Sequence, residues 1–192
     1  MTRLAVSLLG ADGPGVMHAA TSALAALAVN VDQVSQTILG GEFAAILTGT
    51  APEGLPAQDV RAALAASLAP LGVVVSVKPL AASAPAAPAR EDEPGEPFVY
   101  TLRGPDRLGL IASITGVMAA HGVNIVGLAA TTSETPEGKV DRVALVFQVA
   151  LPQGADLPAL RQALGGCASS MGMEGSLQHR DIFEAMHRIS PL

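Results

Sequence analysis

Hydrophobic positions near the start of the chain follow the two-residue period of a strand: Leu4, Val6 and Leu8 alternate with other residues across 3–10. The period then changes. Val16, Ala19, Ala20, Ala23, Leu24 and Leu27 recur at helical spacing, and Pro14 suits the first turn of that helix. Asn30 breaks the pattern and opens a second extended stretch. Gly40-Gly41 predicts a hairpin turn into a third strand carrying Phe43 and Leu47. Val60, Ala63, Leu64, Ser67, Leu68 and Leu71 form a second helical stripe, which Gly72 ends. Residues 73–77, VVVSV, read as a last strand.

The same order then recurs. Asp12 and Asp106, Gly15 and Gly109, and Asn30 and Asn124 each stand 94 positions apart. Leu4, Val6 and Leu8 pair off with Phe98, Tyr100 and Leu102 at that offset. Beyond the hairpin the offset becomes 100, so that Phe43, Ala45 and Leu47 match Val143, Leu145 and Phe147. Six extra residues therefore fall at SETPEGK, where the first copy has only its glycine turn, and a loop absorbs such an insertion cheaply. Each copy reads βαββαβ, the split-βαβ or ferredoxin-like order. The expected class is α+β, with two antiparallel four-stranded sheets and both helices of each copy on one face.

The expected organisation is module one at 1–79, a linker at 80–96, module two at 97–179 and a C-terminal tail at 180–192. The linker is rich in Pro and Ala and then acidic, a solvated and partly extended composition. Ile182, Phe183, Met186 and Ile189 of the tail could share one helical face. That face could pack on its own module or be exchanged with a partner chain, and the first reading needs less.

Composition narrows the chemistry. The chain has 192 residues, 49% of them hydrophobic and only 3% aromatic, so Ala, Val, Leu and Ile must build its cores. The net charge is −6 and no basic run occurs. Direct nucleic-acid binding, which needs a basic face, is not expected. The apolar stretch at the N-terminus is too short to cross a membrane and lacks a signal-peptide cleavage site, so a cytoplasmic location is expected. One cysteine, Cys167, excludes an internal disulfide and any zinc site built from cysteines; it falls at the position of Ser67 and reads as a small core residue.

His18, His121, His179 and His187 show no metal-ligand spacing, and His121 near a helix end reads as a favourable C-terminal charge. No nucleophile and base are paired, so catalytic residues, metal and cofactor are all expected to be none. Gly10, Gly13 and Gly15 give G-x-x-G-x-G rather than the dinucleotide fingerprint G-x-G-x-x-G.

The segments DGPGVMHAATSALAALAVNVDQVSQ and DRLGLIASITGVMAAHGVNIVGL resemble the ACT domain, and the resemblance covers nearly everything but linker and tail. Two such units in a chain of this length are similar to the glycine cleavage system transcriptional repressor family. The resemblance implies a small amino acid, of the glycine or serine class, held where modules meet. By position it points to Asp12, Gly13, Gly15, Asn30 and Val31, and to Asp106, Leu108, Gly109, Asn124 and Ile125. It also implies a homodimer and a protein partner, a transcriptional activator or an enzyme. A ligand-independent docking module and a detached regulatory subunit of an amino-acid or folate enzyme are the alternatives.

The residue types suit a zwitterion. A helix N-terminus offers unpaired amides and a positive dipole end to a carboxylate. Gly15 and Gly109 admit close approach, Asp12 or Asp106 could attract an ammonium group, and Asn30 or Asn124 can donate and accept. Structural roles compete at each position. The aspartates suit helix caps or turns, the asparagines helix ends or turns, and the glycines tight helix–strand packing.

Overall fold

The computed structural model describes residues 1–80, 95–134 and 140–187. The chain divides into two compact units, Met1–Ala87 and Pro88–Leu192. Module one runs β1 (Thr2–Ala11), α1 (Val16–Ala26), β2 (Asn30–Leu39), β3 (Glu42–Ala51), α2 (Ala57–Leu68), a 3-10 turn (Ala69–Leu71) and β4 (Val74–Pro79). Module two runs β5 (Glu96–Pro105), α3 (Leu110–Ala120), β6 (Asn124–Glu134), β7 (Val140–Leu151), α4 (Leu157–Ser170) and β8 (Glu174–His179), and α5 (Arg180–His187) follows.

The sheets have the orders β2-β3-β1-β4 and β6-β7-β5-β8, antiparallel throughout. In each module the alternating apolar residues of the central strands meet the stripes of both helices in one core. Leu4, Val6, Leu8, Val16, Ala20, Leu24, Leu47, Val60 and Leu64 belong to the first core. Phe98, Tyr100, Leu102, Ile114, Met118, Phe147, Leu160 and Leu164 belong to the second, with Cys167 half-buried against it.

Turn chemistry sets the register. Gly40 and Gly41 both have positive φ, 60° and 84°, as a two-residue hairpin of this hand requires, and Leu39 faces Glu42 across them. The corresponding insertion of module two lies mostly outside the described residues, as does most of the linker. Pro14 sits in the turn before α1 rather than in its first turn, because Gly15 takes the N-cap position. The second helical stripe stops at Leu68, and the 3-10 turn carries the chain to Gly72 at φ 67°. Helix α5 packs against β5 and β8 of its own module, and Phe183 lies among residues of those strands. Ile189 is outside the described residues.

Candidate functional site

Both modules begin their first helix in the same way. Gly15 and Gly109 are the N-cap residues, with φ 94° and 81°, and neither helix start receives a side-chain cap. A Cβ at either glycine would meet nothing within 4 Å. Tight packing therefore does not explain these glycines; their left-handed backbone does. Capping does not explain Asp12 and Asp106 either, since each lies three residues before its helix's N-cap. Their amides instead donate to the carbonyls of Gly41 (2.9 Å) and Asp141 (3.0 Å), which pins each loop to the neighbouring hairpin.

In module two this corner opens into a cavity of about 570 Å³. Asp106, Arg107, Leu108, Gly109, Leu110, Ile111 and Ala112 form one side, and Ala130, Thr132, Val143 and Leu145 the other. Ile111 and Ala112 belong to the first turn of α3, whose amides have no intrahelical acceptor. The cavity therefore combines amide donors at a positive helix end, one carboxylate and one hydroxyl with a mostly aliphatic wall, while the Arg107 guanidinium reaches toward Gly172. The strand half of this wall went unnoticed in the sequence. Thr132 and Ala130 sit on an edge strand and carry no motif; only their register opposite Val143 and Leu145 brings them to the loop.

In module one, Asp12, Gly13 and Gly15 occupy the equivalent loop. There Ile38 faces Phe43 where module two has Thr132 facing Val143. The buried Phe43 ring takes up more of the corner than a valine can.

The asparagines are not brought to this corner. Asn30 and Asn124 open β2 and β6, at the opposite end of the first helix from the glycine loop. Asn124 lies about 20 Å along β6 from Ala130. Asn30 Nδ2 donates to Asp32 (2.8 Å), whose other oxygen accepts from Thr50 Oγ1 (2.8 Å). Asp32 is the bulged residue of β2, where the register shifts between Val31 and Gln33. Val31 and Ile125 are half-buried against their cores. Within one module, then, the expected site residues separate into two groups at opposite ends of the fold.

No group of three His, Cys, Asp or Glu side chains among the described residues could hold a metal ion. No described helix is long and apolar enough to cross a membrane.

The ACT domain model matches residues 100–165, within module two. The chain belongs to the UPF0237 family: a UPF0237 protein of Methanosarcina mazei is 39% identical over 92 residues. That alignment takes in 95% of the relative but 48% of this chain, so the relative is about one module long. The tandem arrangement has structural counterparts. A protein of unknown role from Galdieria sulphuraria superposes over 93% of this chain and 98% of its own, with TM-score 0.74 and 24% identity. A chain provisionally ascribed to a glycine cleavage system transcriptional repressor covers 92% and 96%, with TM-score 0.62 and 16% identity, a likeness of fold.

Proposed function

We propose that this chain is a cytoplasmic amino-acid-sensing regulatory protein, not an enzyme, and that module two takes its ligand at the start of α3. The uncapped first turn of α3, opening into a cavity with a largely aliphatic wall, carries the reading. The ligand carboxylate accepts hydrogen bonds from the helix-start amides. Asp106 draws the ammonium group, and the side chain lies against Ile111, Ala130, Val143 and Leu145. Glycine or serine would leave much of that wall uncovered, so an amino acid with a branched apolar side chain fits better. Binding regulates only by favouring one association of modules or chains over another. The output passes to a protein partner, a second copy of the chain or a transcriptional regulator, because the acidic chain lacks a basic run for DNA.

Calorimetry on the full chain with glycine, serine, valine, leucine and isoleucine tests this. The branched apolar amino acids are expected to bind more tightly than glycine or serine. Silence across the panel at millimolar concentration, in folded protein, would overturn the reading.

A further inference from the structure

Module two also buries a polar group that neither its core nor the α3 cavity uses. Tyr100 is the chain's one tyrosine, and there is no tryptophan. Its side chain is 2% exposed and lies 6.1 Å from the Phe147 ring, centre to centre. Its hydroxyl has no hydrogen-bond partner among the described residues. Leaving a buried hydroxyl unpaired is costly, because it gives up its bonds to water and gains none in return. Burial, and to a lesser degree the Cys167 thiol, pushes its pKa up to about 12, so at neutral pH the group is an O–H able to donate.

The fold does not require this arrangement. Module one builds the same part of its core with Val6 and Val75, where module two has Tyr100 and Gly175; the strand registers make the pairs equivalent. Gly175 makes room for the Tyr100 hydroxyl, which fills the space a Cβ at 175 would need. Beside Gly175, between α4 and β8, lies a cleft of about 170 Å³ whose lining includes Tyr100, Arg161, Gly165, Gly175 and Ser176. Strand β8 is an edge strand, so the cleft borders the open margin of the sheet. Gly165 stands inside α4 although a Cβ there would meet nothing within 4 Å, so packing does not demand it. Arg161, one turn earlier, is exposed and pairs with no acid among the described residues. The lining holds a cation and hydroxyl groups and no carboxylate.

We propose that this cleft binds a small carboxylate, with the Tyr100 hydroxyl donating to it from the floor and Arg161 supplying the charge at the rim. Sodium acetate is the probe, titrated into the full chain with sodium chloride holding ionic strength constant. Tyrosine fluorescence reports on Tyr100 alone, since no other tyrosine or tryptophan exists. The expected result is a saturable change at millimolar acetate that chloride does not produce. Arg161→Gln, an exposed change that leaves the core intact, is expected to weaken it about tenfold. A flat acetate titration, an equal response to chloride, or unchanged acetate affinity in Arg161→Gln would each overturn the proposal.

Discussion

The Tyr100 hydroxyl lies against the α-carbon of Gly175, in the space that the Cβ of any other residue at 175 would need. The two positions form one steric unit, a large residue on β5 and an absent side chain on β8. Module one solves the same volume with two valines, Val6 and Val75.

Gly175→Ala should therefore destabilise module two by about 1–3 kcal/mol, the usual cost of overpacking. The double change Tyr100→Val with Gly175→Val, which copies module one, should recover much of what Gly175→Val alone loses. Urea denaturation of the single and double variants measures the coupling. Additive losses would show that the two positions do not share one space.

The raised pKa of Tyr100 has a consequence at high pH. The unfolded chain loses the phenolic proton near pH 10, while the folded chain holds it until about pH 12. The folded state thus binds more protons in that window, and stability should fall as pH rises through it, by roughly 2–3 kcal/mol in all. Below pH 10 the contribution is fully present. Tyr100→Phe should flatten this part of the stability curve, and an absorbance titration of the single tyrosine should place its midpoint well above 10.

Gly15 and Gly109 hold left-handed backbone at equivalent helix starts with open space around them. Substitution by alanine should cost about 1–2 kcal/mol at either site, because the penalty is conformational rather than steric. Only Gly109→Ala should also weaken amino-acid binding if the α3 cavity is the ligand site. Thermal melts and calorimetry on both variants separate the two effects.

Asp32→Ala removes the acceptor shared by Asn30 and Thr50. All three residues are solvent-accessible, so the loss should be small, about 0.5–1 kcal/mol. Asn124→Ala tests a different point. If the α3 cavity is complete within one module, this change should leave calorimetric affinity unaltered. A large loss would mean that a second copy of the chain brings its own Asn124 to the cavity.

Much of this protein was legible in the chain itself. Period-two and helical stripes, the recurring Asp, Gly and Asn and the Gly40-Gly41 turn were enough to read two βαββαβ modules, because each signal is local and reports which face of an element meets the core. The glycine at each helix start was legible for the same reason, although its role as a left-handed N-cap was not. Three matters depended on tertiary structure. The wall of Ala130, Thr132, Val143 and Leu145 arises from strand register, which joins residues far apart in sequence. The separation of Asn30 and Asn124 from the glycine loops follows from the length of the intervening helix, about 16 Å for eleven residues. The stranded hydroxyl of Tyr100 depends on Gly175, 75 positions later, and no local pattern couples a large residue on one strand to an absent side chain on another.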